Sequence, residues 1–113
     1  MKSKIGVLWV VLVIFGGVGV AGIENNGPEK ITLDGGQRGV VYFPHRQHQT
    51  TLGDCKICHD IFPRKLGIIK DLKDQGSLVK KRVMNHCLGC HRERVKEGKD
   101  AGPTSCRECH SKE

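Results

Sequence analysis

The six cysteines of this 113-residue chain form three pairs of one pattern: CKICH (Cys55, Cys58, His59), CLGCH (Cys87, Cys90, His91) and CRECH (Cys106, Cys109, His110). None is left over, and a histidine follows each pair at once. A C-x-x-C pair alone fits a zinc site, a redox disulfide or covalent attachment of a c-type haem. The histidine separates these readings. Two thiols spaced by two residues can add to the two vinyl groups on one edge of a haem, and the next residue then sits under the iron as an axial ligand. Zinc would take four ligands tetrahedrally from two pairs, which strands the third pair and leaves the following histidines without a role. Disulfides suit an exported protein, but redox pairs of this spacing go with a thioredoxin-like βαβ pattern that this chain lacks. Three c-type haems, each with its iron, are the expected cofactors.

The remaining histidines complete a ledger. Outside the motifs stand His45, His48 and His86, so the chain holds six histidines for the six axial positions of three irons. A methionine can also serve, but Met84 is the only one beyond Met1. The expectation is three bis-histidine haems of low potential, with His45, His48, His59, His86, His91 and His110 as iron ligands. Such irons are low-spin and closed to carbon monoxide. His45 and His48 lie three residues apart in FPHRQHQ; on a helical turn they point the same way and cannot approach one iron from opposite faces. They must serve two irons. His86 abuts Cys87 and is poorly placed to reach the far face of the haem that His91 ligates, so it should reach another iron. The other pairings stay open on geometry alone.

Several elements must hold these side chains. ITLDGGQRGVVYF, Ile31 to Phe43, has two apolar, partly β-branched runs about a Gly-Gly turn, a hairpin pattern. Pro44 ends it and delivers His45 and His48 on a turn or short helix. Between Arg64 and Val83 the apolar positions Leu66, Ile69, Leu72, Val79 and Val83 recur at helical spacing, interrupted at Gly76. This predicts two short helices, the second capped by Ser77 and carrying His86 at its end. A last short helix is predicted from about His91 to Lys96, stopped by Gly98. The apolar stripes are expected to pack against haem faces.

The N-terminus has a different composition. Met1 to Lys4 carries two lysines, Ile5 to Gly22 carries no charge, and small residues end the run. Residues 1–22 read as a secretory signal peptide. An uncleaved anchor competes, since about 18 apolar residues can just span a bilayer; the glycines near its end, poor helix formers, favour cleavage. Residues 23–113 then form one trihaem cytochrome domain. It has few aromatic residues for a core, because Trp9 leaves with the signal, and chains this small usually need staples such as metals or cofactors. Removing Lys2 and Lys4 from the 19 basic residues leaves 17 against 12 acidic ones, a net charge near +5. Part of this excess can balance haem propionates. The rest, clustered as Lys80, Lys81, Arg82 and Arg92, Arg94, Lys96, Lys99, would steer an acidic redox partner. Export and the lack of base-stacking aromatics argue against nucleic-acid binding.

The combination of a hairpin leading into FPHRQHQ, three C-x-x-C-H motifs, one free histidine before the second motif and two closely spaced C-terminal motifs resembles the class III cytochromes c. Within them it is similar to the small periplasmic trihaem cytochromes, over about Ile31 to Lys112. The resemblance implies a small haem-packed fold with a short two-stranded β-hairpin, a few short α-helices and much irregular loop. It implies the pairings His45 with His59, His48 with His91 and His86 with His110. One departure stands out: relatives keep a few residues between the later free histidine and the next motif, whereas His86 abuts Cys87. Asp60 to Asn85 is also longer than in compact members and reads as the place of the extra haem in tetrahaem relatives, refilled with polypeptide. The function implied is periplasmic, low-potential electron transfer in anaerobic respiration, by a monomer that is not an enzyme. Donors would be a quinol-oxidising membrane cytochrome or a hydrogenase, and acceptors outer-membrane multihaem cytochromes. Two alternatives compete: a small multihaem reductase with one open iron, and a membrane-anchored cytochrome subunit of a quinol dehydrogenase that retains Ile5 to Gly22.

Overall fold

The computed structural model describes residues 26–112; the signal or anchor expected at 1–22 lies outside them. Strands β1 (Ile31–Leu33) and β2 (Val40–Phe43) pair antiparallel, with Thr32 opposite Tyr42. Asp34 starts the reversal between them by accepting the Gly36 N–H on Oδ1 at 2.8 Å, and a single 3-10 turn, Gly36–Arg38, completes it. The sheet has three strands rather than the expected two. β3 (His110–Ser111) pairs antiparallel with the other edge of β2, so that Val41 faces both Leu33 and His110. Gly39 makes this possible. Its φ of 93° favours glycine, and a Cβ there would lie 2.0 Å from the Ser111 carbonyl oxygen.

Helix α1 (His45–Leu52) begins directly after Pro44 and stops at Gly53, whose φ of 64° ends the helix with a bond from its N–H to the Gln49 carbonyl. The preceding segment is laced to it: the Arg46 N–H donates to the Glu29 carbonyl, and the Gln49 amide to the Asn26 carbonyl. Helix α2 (Lys56–His59) is one turn, started by Asp54 Oδ1 accepting the Lys56 N–H. Helix α3 (Ile68–Asp74) ends before Gly76 and is tied to the β1–β2 reversal by Lys73, which donates to the Asp34 carbonyl at 3.1 Å.

Helix α4 (Arg82–Lys96) departs from expectation. One 15-residue helix replaces the end of a helix capped at Ser77 and a separate helix from His91. Ser77 is no cap; its N–H instead closes α3 by bonding the Leu72 carbonyl. The start falls at Lys81, the one non-glycine residue with positive φ among those described. The helix runs through the whole second motif because CLGC tolerates helical backbone despite Gly89, and it stops at Gly98 as expected. Helix α5 (Cys106–Cys109) is a single turn inside a capping box, in which Ser105 donates through Oγ and N–H to the Glu108 carboxylate.

Polypeptide alone builds almost no core. Phe62, 8% exposed, is the only buried hydrophobic residue among those described, while Leu66 and Val79 are more than 70% exposed. The apolar stripe between Arg64 and Val83 therefore has little protein to pack against. Leu72, Leu78 and Val79 instead border a cavity of about 500 Å³ shared with Ile61, Pro63 and Arg82. No described helix is long and apolar enough to cross a membrane.

Candidate haem-binding site

The first two attachment motifs each sit on one helical turn. Three- and four-residue spacings place side chains on one helix face, so Cys87, Cys90 and His91 share a side of α4, and Cys55, Cys58 and His59 share a side of α2. The third motif differs: Cys106 and Cys109 lie on α5, but His110 has already entered β3, with extended backbone. The motifs lie close together. Burial pushes the Cys87 thiol up to about 11, with the neighbouring Cys58 and Cys109 thiols adding to the effect. Burial likewise raises the Cys58 thiol, helped by Cys90 and then Cys55, and the Cys109 thiol, helped by Glu108 and Cys106. These shifts oppose those of redox-active C-x-x-C pairs, whose thiols are lowered. No disulfide joins any of the six cysteines, and no three His, Cys, Asp or Glu side chains among the described residues converge on a bare metal ion.

The histidines are arranged in facing pairs. The rings of His45 and His59 have centroids 6.2 Å apart and planes at 76°; those of His48 and His91 are 6.1 Å apart at 28°. An iron held between two imidazoles, each with its coordinating nitrogen about 2 Å from the metal, separates the ring centres by about 6 Å. Both pairs therefore fit one iron apiece. His45 and His48, one turn apart on α1, face different partners, as the spacing of FPHRQHQ requires. Phe43 packs against His48 at 4.4 Å between centroids.

Backbone carbonyls select the tautomer. Nδ1 of His45 lies 3.0 Å from the Pro28 oxygen, that of His48 2.9 Å from Pro44, that of His59 2.8 Å from Phe62, that of His91 2.7 Å from Pro103, and that of His110 3.4 Å from Gly39. A carbonyl can only accept, so each Nδ1 is the donor, and in the neutral ring Nε2 is left with a bare lone pair. That is the usual outer support of a metal-binding imidazole, which fixes ring orientation and raises ligand basicity.

Glycines let the carbonyls come so near. A Cβ on Gly102 would stand 2.6 Å from Cε1 of His91, and one on Gly27 would stand 3.3 Å from Cε1 of His45. In each case the next residue, Pro103 or Pro28, supplies the accepting carbonyl. Two Gly-Pro dipeptides thus clasp two imidazoles from opposite ends of the domain. Gly35 plays a similar part at His110, where a Cβ would lie 2.5 Å from Nδ1. None of these residues was singled out from the sequence for this role, although the repeated GP beside a lone turn was its available signal.

His86 stands apart. Its half-buried ring meets Phe62 edge-on at 5.9 Å and 80°. It makes no ring contact with His110 and no ring hydrogen bond among the described residues. Beside His110 a cavity of about 590 Å³ is bordered by Cys106, Arg38, Arg107, Lys112 and Gln37. Its thiol, imidazole and three cations suit a haem with anionic propionates.

The donor set thus fits c-type haem in its attachment thiols, bare Nε2 atoms and ring separations. Residues 22–110 match the Class III cytochrome C family. The chain is 39% identical over 77 residues to cytochrome c7 of Geobacter metallireducens, covering 67% of this chain and 69% of that protein. It is 34% identical over 79 residues to a high-molecular-weight cytochrome c of Nitratidesulfovibrio vulgaris, covering 63% of this chain and 14% of that protein. Among solved structures it resembles PpcC, a cytochrome c7 from Geobacter sulfurreducens, with 32% identity and a TM-score of 0.51 over 76% of this chain and all of that one. The chain belongs to the class III cytochrome c family, with three c-type haem attachment motifs in the service of electron transfer.

Proposed function

We propose that the chain is a periplasmic, low-potential electron carrier with three covalent c-type haems, attached through Cys55 and Cys58, Cys87 and Cys90, and Cys106 and Cys109. The observation that carries this reading is the pair of facing imidazole couples, His45 with His59 and His48 with His91, each with Nδ1 tied to a carbonyl. When bound, each haem supplies a one-electron ferric/ferrous couple. The chain's own residues do the rest. Two facing imidazoles, His45 with His59 and His48 with His91, would each hold one iron and favour its ferric state, and α1 would link those two irons through side chains one helical turn apart. That turn sets the spacing between their haems. His110 serves the third haem, with His86 as the candidate for its other face.

The reading needs no substrate pocket, and electrons pass to and from other redox proteins. The basic residues Lys80, Lys81, Arg82, Arg92 and Lys99 are exposed and support an acidic partner drawn in by charge. Quinol-oxidising cytochromes or hydrogenases on the donor side, and outer-membrane cytochromes on the acceptor side, fit a low-potential carrier of this kind. The mass of the purified protein tests the reading in one number. Three haems on a chain that has lost residues 1–22 is the expected result; fewer haems, or a retained N-terminus, would overturn the trihaem or the soluble part of it.

A further inference from the structure

After α4 the chain doubles back along the helix and is bonded to it in steps. Gly98, with a φ of 69°, allows the reversal, and the N–H groups of Gly98 and Lys99 donate to the Val95 and Arg94 carbonyls at 3.0 and 2.9 Å. Arg94 Nε then donates to the Asp100 carbonyl at 2.8 Å. Last, His91 Nδ1 donates to the Pro103 carbonyl at 2.7 Å. The two side-chain bonds are rungs of one short ladder. His91 and Arg94 lie three residues apart on one face of α4, and their acceptors Pro103 and Asp100 lie three residues apart on the returning loop, in reverse order.

By sequence Arg94 falls in the basic cluster with Arg92, Lys96 and Lys99. In the fold it is half-buried, while Arg92, Glu93, Val95 and Lys96 around it are exposed. Over Asp100 to Pro103 the loop's other hydrogen bonds among the described residues come from His91 itself and, at 4.0 Å, from the Cys109 thiol. That thiol has no hydrogen left to donate once it is in thioether linkage to a haem. The Arg94 rung is therefore what lets the Pro103 carbonyl orient the imidazole instead of following it.

We propose that Arg94 is a positioning residue for the haem held between His48 and His91: it fixes the returning loop so that the Pro103 carbonyl stays against His91 Nδ1. An imidazole held in this way is the more basic ligand and favours ferric iron, so the rung keeps this haem's potential down. The charge of Arg94 acts in the opposite direction, because a nearby cation stabilises the electron added to iron. Loss of the rung raises the potential, and loss of the charge alone lowers it. The inference rests on the reading of three attached haems, so haem content by mass is measured on the same samples. A missing second haem overturns both; three haems with an unmoved second potential overturn this one alone.

Two variants separate the rung from the charge. Arg94→Lys keeps the cation but has a methylene where Arg94 has Nε; Arg94→Gln removes the cation but has an amide nitrogen at that place, still able to donate. The three potentials are measured by spectroelectrochemical titration resolved by NMR, together with solvent exchange of the His91 Nδ1 proton in the reduced, diamagnetic protein. In Arg94→Lys the equilibrium of the His48–His91 haem should move toward the ferrous state by about two- to tenfold, the span of one hydrogen bond, which is about 20–60 mV upward. Its Nδ1 proton should exchange faster, and the other two haems should not rise. In Arg94→Gln the same haem should not rise and its proton should stay slow. An unmoved second haem in Arg94→Lys, an equal rise at all three haems, or a rise in Arg94→Gln as large as in Arg94→Lys would overturn the proposal. Should the variants fail to mature, the parent protein still decides: an Arg94 Nε proton that exchanges as fast as that of a free guanidinium would refute the rung.

Discussion

Replacing Gly102 by Ala adds one methyl group against the imidazole of His91 and changes little else. Gly102 has no positive φ, so alanine fits its backbone; the new Cβ, however, would stand 2.6 Å from Cε1, 3.0 Å from Nε2 and 3.2 Å from Nδ1. Ordinary contact begins at 3.4 Å, so the ring must retreat by about 0.8 Å or the loop must swing away. Either movement stretches the 2.7 Å bond from Nδ1 to the Pro103 carbonyl to the edge of hydrogen bonding. A hydrogen bond of this kind contributes about 0.5–1.5 kcal/mol net. Its loss makes the imidazole a weaker donor to ferric iron. For a one-electron couple, 59 mV corresponds to a tenfold change in equilibrium, so the haem between His48 and His91 should rise by about 20–60 mV while the other two stay put. The assay is a spectroelectrochemical titration with the three haems resolved by NMR. Gly89→Ala is the control: it lies on α4 with open space around its Cβ and should stabilise the helix by up to about 1 kcal/mol without moving any potential. Three unchanged potentials in Gly102→Ala would refute the clasp.

His48→Ala should turn one haem high-spin in the ferric state and leave the His45–His59 haem low-spin, as read from the visible and EPR spectra; two haems losing their low-spin signals would contradict the division of labour on α1. The ring planes predict two kinds of ferric low-spin EPR signal, a highly anisotropic one from the 76° pair and a more rhombic one from the 28° pair. The Glu108 carboxyl is held below its ordinary value of 4.5 by the Ser105 hydroxyl and the Ser105 N–H. Its contribution to α5 is therefore fully present above pH 4.5 and is lost as the pH falls through the lower folded value, so an acid titration should perturb the third haem's spectrum first, and Ser105→Ala should move that transition to higher pH.

Much of the site was legible because covalent chemistry leaves a rigid signature. The three C-x-x-C-H motifs, the count of free histidines and the one-turn spacing of His45 and His48 needed no tertiary information. What held those histidines was not legible, since the acceptors are backbone carbonyls of Pro28, Pro44, Phe62, Pro103 and Gly39, and a carbonyl has no residue type. The helices were misjudged where haem chemistry and helix propensity overlap. One helix was expected to end at His86 and another to begin at about His91, yet α4 runs through the CLGC between them; Ser77 looked like a cap, yet the left-handed turn falls on Lys81, a residue with no such tendency. β3 escaped notice because it is two residues long and includes the motif's own histidine. It exists only because Gly39 lets the C-terminal backbone come within contact of β2.

The central claim is that one turn of α1 feeds two different irons. A structure of the three-haem protein, with axial ligands assigned iron by iron, tests it most directly. His45 and His59 should share one iron and His48 and His91 another, with each Nδ1 still bonded to its carbonyl. His45 and His48 on a single iron, or His86 replacing either partner, would contradict the account.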